Sequence, residues 1–223
     1  MPNRSVSSAG YARCHNISLS SLTHSFNDPR AMPTIYPLLK PHDWPHQHLV
    51  VHRKLSETVA EAPIITFGFD AGENYRFTTS EECQDQEALY REALENLSAL
   101  DYSWEFGESK GLPHATSSGK EFSAERILSP KAMLEAHEIL KSDRIIAAAP
   151  RRTCIIATRD GLPADVMNLF IRLVMFTYGD DSYGHAPISS VLYVLEKGVI
   201  KDVKVVAEPP ANSASKPWWK FWN

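Results

Sequence analysis

Two residue patterns divide the chain into elements. Short runs of β-branched and other apolar residues, separated by turn residues, predict three β-hairpins at 62–78, 144–158 and 188–206. The 144–158 hairpin carries charge only at its ends and at its Pro-Arg-Arg turn. Uncharged strands fit the interior of a sheet, so we expect this hairpin to be the centre of the fold.

Apolar residues at three- and four-residue steps predict three helices, at 80–100, 130–141 and 163–178. Thr79 and Glu82 have the spacing of a capping box, which predicts that the first helix starts beside them. The third helix is apolar on nearly every side, so we expect it to lie buried across the sheet as its main cover.

These elements predict a single α+β domain over residues 33–208, with an antiparallel or mixed sheet built from hairpins and covered by about three helices. By composition, residues 111–119 are typical of a loop, and residues 122–128 fit either a strand or a helical turn. Four prolines between residues 32 and 52 predict an extended surface segment with a short strand at 48–52.

Four histidines fall on even positions of this proline-rich segment: His42, His46, His48 and His52. They would share one face of a continuous strand, and such a face can hold a metal ion. Pro45 interrupts the alternation, and no cysteine or repeated ligand spacing accompanies the histidines. We therefore predict a polar loop anchored by Trp44, with no metal and no other cofactor.

The two ends of the chain differ from the middle. Residues 1–31 hold seven serines and little periodicity, which predicts a disordered extension or a start site assigned too early. Residues 209–217 are typical of a flexible linker. Four aromatic residues follow in the segment 218–223: Trp218, Trp219, Phe221 and Trp222. Exposed tryptophan is unfavourable in water, so we predict that this aromatic tail docks on a protein partner, with docking on its own domain as the alternative.

The net charge and the cysteine content bear on the kind of partner and on the cellular compartment. A formal net charge of -4 argues against a nucleic-acid partner, because phosphate neutralisation needs a basic excess. Three widely spaced cysteines give neither a disulfide framework nor a metal pattern, which favours the reducing cytoplasm. A membrane surface ranks behind a protein as the partner, because Lys216 and Lys220 provide little attraction to lipid headgroups.

Three short motifs carry a resemblance to a known family. A helix ends in Ala-Leu-Glu-Asn-Leu at 93–97, and a later strand reads hydrophobic-Ala-Pro-Arg-Arg through Arg152. A Pro-hydrophobic-Ser strand with a Lys-Gly turn follows at 187–198. In this order the motifs resemble the bacterial DUF1444 (YtpQ-like) proteins over residues 83–206, although Arg151 and Thr153 stand where that family has serine and aspartate. The resemblance implies a bacterial cytosolic α+β domain and carries no activity.

Several common catalytic motifs are absent from the sequence: there is no phosphate loop, His-Glu-x-x-His or Cys-x-x-Cys. The best polar cluster consists of Arg151 and Arg152 at the central turn, with Arg159 and Asp160 at the far end of the strand. Paired guanidiniums on a rigid turn can bind a carboxylate or a phosphate. Alternatively, they solvate a hairpin tip.

We expect a non-enzymatic binding or interaction module of the bacterial cytosol, a class that includes toxin-neutralising immunity proteins, with the aromatic tail for docking. The alternative is a hydrolase or transferase with a site near the Arg151–Arg152 turn. A concave pocket holding Arg152 beside a histidine or carboxylate of shifted pKa would favour the enzyme. A flat or apolar exposed patch without such a group would favour the binding module.

Overall fold

The computed structural model describes residues 34–70, 75–183 and 185–206. Ten strands occur there in chain order: β1 Ile35–Lys40, β2 His52–Lys54, β3 Ile64–Asp70, β4 Tyr75–Phe77, β5 Glu105–Ser109, β6 Leu112–Ser118, β7 Arg144–Arg151, β8 Cys154–Arg159, β9 Leu192–Glu196 and β10 Val199–Lys204. The α-helices are α1 Gln86–Ala99, α2 Pro130–Leu140 and α3 Ala164–Gly179. Short 3-10 helices lie at Gln47–Leu49, Ala124–Leu128 and Asp181–Tyr183.

The described strands pair antiparallel and form two sheets, which confirms the predicted α+β class. The larger sheet has the order β10-β9-β7-β8-β6-β5, so the uncharged hairpin β7–β8 lies at its centre as expected. In the smaller sheet β3 pairs with β1 along one side and with β2 and β4 along the other. The predicted hairpins β3–β4 and β9–β10 are also present.

Two apolar cores lie on opposite faces of the six-stranded sheet. On one face Phe170 and Val174 of α3 pack against Ile146 and Ile156. The other core includes Tyr193 and is shared with α1, α2, the smaller sheet and the 3-10 helix Ala124–Leu128. The smaller sheet and two of the helices therefore stand on one side of the larger sheet, and α3 stands on the other.

Helix α3 lies on the sheet as predicted, but less deeply than its composition suggested. The buried residues of α3 are Phe170, Val174 and Thr177. Most of its other apolar side chains are half-buried, because α3 forms an outer layer and its flanks are shared between sheet and solvent.

Helix α1 begins six residues later than predicted. Its N-cap is Asp85, whose Oδ1 accepts two backbone N–H groups of the first turn, each at 3.0 Å. The Thr79 N–H donates to Glu82 Oε2 at 3.1 Å, as in a capping box. That pair closes a turn ahead of the helix, and Asp85 starts the helix itself.

Two segments predicted without buried strands contain them. The predicted loop at 111–119 is wrong, because β6 pairs with β5 on one side and β8 on the other. The predicted surface segment contains β1, in which Ile35, Leu38 and Leu39 are buried. Pro37 is accommodated there because β1 pairs with a single neighbouring strand.

The predicted extension 1–31, linker 209–217 and aromatic tail 218–223 lie outside the described residues. Across the described part of the chain, no helix is long and apolar enough to cross a bilayer.

Candidate functional site

The turn between β7 and β8 brings one of the two predicted arginines to the junction of the sheets. The Arg152 carbonyl accepts the Ala124 N–H at 3.2 Å, and the Thr153 carbonyl accepts the Gly119 N–H at 3.0 Å. The first bond holds the 3-10 helix Ala124–Leu128 against the turn, and the second holds the end of β6 there. The same 3-10 helix contacts β1, so three segments that are distant in sequence meet here.

Two cations at this junction lie over aromatic rings. The Arg152 Cζ lies 4.6 Å from the centroid of the Tyr75 ring. The Lys40 Nζ lies 5.1 Å from the centroid of the Phe77 ring and 5.3 Å from that of Trp44. All five side chains are half-buried, so the cation–π attraction acts partly shielded from water.

Glu125 lies beneath these residues, and its side chain is 0% exposed. Its Oε1 accepts the Leu39 N–H at 3.0 Å. Within the described residues Glu125 Oε2 has no hydrogen-bond partner, and neither has Arg152 Nη2. One buried acceptor atom and one buried donor atom at this junction thus have no hydrogen-bond partner among the described residues.

Burial raises the pKa of Glu125 from its ordinary value of 4.5 to about 7. The backbone N–H groups of Leu39 and of Glu125 itself lower this pKa, as do the positive charges of Arg152 and Lys40, but by less than burial raises it. Burial also lowers the pKa of Lys40, and the charge of Arg152 lowers it further. The carboxyl group is therefore about half protonated at neutral pH and can either donate or accept a proton there.

We refer to Lys40, Trp44, Tyr75, Phe77, Glu125 and Arg152 as the Arg152 cluster. Sequence reasoning identified only Arg152 as a binding residue, and Trp44 as a loop anchor. The other members come from separate segments, so no spacing along the chain links them. Glu125 left one signal, an acidic residue inside the otherwise largely apolar run 122–128.

Arg151 is not a member of the cluster. Its side chain is buried, and its guanidinium donates to the carbonyls of Thr177 and Tyr178, each at 2.8 Å, and to Asp181 Oδ1 at 3.1 Å. It therefore holds the C-terminal end of α3. The expected guanidinium pair is corrected, because the two side chains diverge where the strand passes into the turn: Arg151 reaches the end of α3, and Arg152 reaches the Tyr75 ring.

Arg159 and Asp160 lie at the far end of β8. The Arg159 Nε donates to the Leu140 carbonyl at 2.6 Å, at the end of α2. The Asp160 Oδ2 lies 2.7 Å from the Arg144 Nε. Both side chains thus tie neighbouring elements together, and the structure does not bring them to Arg152. The remaining predicted binding residues, Trp218, Trp219, Phe221 and Trp222, lie outside the described residues.

The four histidines are only partly brought together. The 3-10 helix Gln47–Leu49 breaks the extended geometry that would align them. His42 and His52 line one surface hollow of about 270 Å³, and the other two histidines do not line it. In the described residues no group of three or more His, Cys, Asp or Glu side chains is placed to hold a metal ion.

Comparisons with protein-family models, with curated proteins and with solved structures find no match to this chain.

Proposed function

We propose that this protein is a non-enzymatic binding module of the bacterial cytosol, and that the Arg152 cluster is its protein-binding surface. The supporting observation is the gathering of Trp44, Tyr75 and Arg152 at one half-buried junction. Tryptophan, tyrosine and arginine are the residue types that supply most of the binding energy at protein interfaces. The flat side chains of tryptophan and tyrosine also lose little conformational entropy on binding.

The resemblance to the DUF1444 proteins stays a prediction and agrees with a bacterial cytosolic protein. Within this proposal, toxin-neutralising immunity proteins are the class in which a small binding module acts alone on one protein partner. The aromatic tail supplies a second contact with that partner, because a linked second site raises the effective concentration of the first.

A hydrolase or transferase is the second candidate, and one observation favours it. Glu125, with a pKa of about 7, lies close enough to Arg152 for the charges to interact, which fits a general acid or base. The enzyme ranks second because the sequence carries no phosphate loop, His-Glu-x-x-His or Cys-x-x-Cys motif beside this carboxyl group.

Affinity capture from bacterial cells tests the binding function. The tagged full-length chain is compared with Trp44→Ala and with Phe106→Ala, a matched control that removes an aromatic side chain 53% exposed on β5. Truncating a central interface tryptophan weakens binding by about 2 kcal/mol or more, roughly 30-fold. We expect one protein to be captured by the wild type and by Phe106→Ala, and to be lost from Trp44→Ala.

A fourth bait lacking residues 216–223 tests the aromatic tail separately. If only this bait fails to capture the partner, the protein is still a binding module, but the aromatic tail and not the Arg152 cluster is its binding surface. Equal capture by all four baits would contradict both surfaces. Thermal melting of each bait distinguishes a lost contact from a lost fold.

A further inference from the structure

Two open polar atoms at the Arg152 cluster indicate a bound group. Glu125 Oε2 and Arg152 Nη2 are buried and have no hydrogen-bond partner among the described residues. Buried polar groups in native proteins are nearly always hydrogen-bonded, so a donor and an acceptor left open at one junction point to a group held between them. Glu125 is the stronger indicator, because its side chain has no surface in contact with solvent.

We propose that the Arg152 cluster binds a small oxyanion, to which the Arg152 guanidinium and the protonated Glu125 carboxyl both donate hydrogen bonds. A guanidinium presents a fork of N–H groups that matches the oxygens of carboxylates and phosphates. Stacking on the Tyr75 ring, at 4.6 Å, holds this fork in place before the anion arrives. The inference goes beyond the proposed function, because a free anion requires no protein partner.

The charges around Glu125 decide when the anion binds. Lys40 faces it from β1 and Arg152 from the β7–β8 turn, while the Leu39 N–H occupies its Oε1. Glu121 of the same segment is exposed and accepts the Tyr75 hydroxyl at 3.3 Å. A protonated Glu125 leaves two positive charges and offers a donor at Oε2. An ionised Glu125 cancels one of those charges and turns an acceptor oxygen toward the anion.

Binding of the anion is therefore coupled to proton uptake by Glu125. With a pKa of about 7, the protonated fraction of Glu125 falls about tenfold between pH 6 and pH 8, and the affinity for the anion should fall about tenfold with it.

Sulfate is the first probe, because its own charge does not change between about pH 6 and pH 8. It is titrated at constant ionic strength into the isotope-labelled full-length protein. The amide resonance of Leu39, whose N–H is bonded to Glu125, reports both binding and its location. Acetate is titrated in parallel, and its affinity is compared with that of sulfate. This comparison shows whether the site prefers a planar carboxylate or a tetrahedral anion. Binding of either anion with the tenfold pH dependence supports the proposal, and failure of both to bind overturns it.

Variants of single charges complete the test. Arg152→Gln should abolish the shift of the Leu39 resonance, and Glu125→Gln should bind sulfate equally at both pH values. The matched control is Arg144→Gln, which removes the same charge from the opposite end of β7. Equal wild-type affinity at both pH values would overturn the proposal, even if a variant fails to fold. So would a loss in Arg144→Gln as large as that in Arg152→Gln. Partner capture through Trp44 is measured separately, so its outcome does not depend on these titrations.

Discussion

Replacing Glu125 with glutamine should change how the stability of this protein depends on pH. The substitution keeps the size of the side chain and an oxygen for the Leu39 N–H, but removes the titrating proton. In the wild type the pKa of Glu125 is about 7 in the folded state, against an ordinary value of 4.5. The folded protein therefore holds this proton more tightly than the unfolded chain does.

The sign of the effect follows from this difference. The stability contributed by protonated Glu125 is fully present below pH 4.5 and is lost as the pH rises through about 7. Proton linkage between these two pKa values gives a loss of about 2.5 kcal/mol between pH 5 and pH 8. The glutamine variant has no such loss. Relative to the wild type, the free energy of unfolding of the glutamine variant should therefore rise by about 2.5 kcal/mol from pH 5 to pH 8.

Urea denaturation of both proteins at several pH values measures this difference, because groups common to both cancel. The matched control is Glu121→Gln, an exposed glutamate of the same segment, which should change the free energy of unfolding by less than about 0.5 kcal/mol at each pH. A constant difference between Glu125→Gln and the wild type from pH 5 to pH 8 would refute the reasoning. It would mean that Glu125 is solvated in the folded protein.

Two further predictions concern stability. Phe170→Ala should lower the free energy of unfolding in urea by about 3 to 5 kcal/mol, because Phe170 is 0% exposed on the sheet-facing side of α3. A change under about 1 kcal/mol would mean that the packing of α3 on the sheet is not needed for stability. Arg151→Met should also be strongly destabilising, by about 3 kcal/mol or more, because the carbonyls of Thr177 and Tyr178 lose the hydrogen bonds of a buried guanidinium. Arg144→Gln should lose less than about 1 kcal/mol, because the Arg144 side chain is itself 50% exposed to water, and an equal loss in both arginine variants would contradict this.

Several elements could be predicted because each carries its own pattern. The β7–β8 hairpin combines uncharged β-branched runs with a turn, and α2 combines Pro130 at its first position with an apolar stripe. Such signals lie within about ten residues of one another, so they need no knowledge of the partner element. The central position of the β7–β8 hairpin could also be inferred from the sequence, because uncharged strands fit the interior of a sheet.

Other elements were decided by their neighbours. The sequence of β6, Leu-Pro-His-Ala-Thr-Ser-Ser, is typical of a loop, and it becomes a strand because β5 and β8 supply hydrogen bonds on both sides. Likewise, β1 contains a proline and still forms a buried strand, because it pairs only with β3 and α1 packs against it. Strand formation depends on context more than helix formation does, so composition alone misjudged both segments.

The sequence by itself determined the fold class, the three hairpins and the apolar helix faces, and it placed Arg152 among several candidate binding residues. Only the tertiary structure decided that Arg151 and Arg152 serve different faces, and that Arg152 meets Glu125 and Lys40. The physical reason is that periodicity reports which side of one element avoids water. The pKa of Glu125 depends instead on how completely three separate segments close over one carboxyl group, and no local pattern encodes that closure.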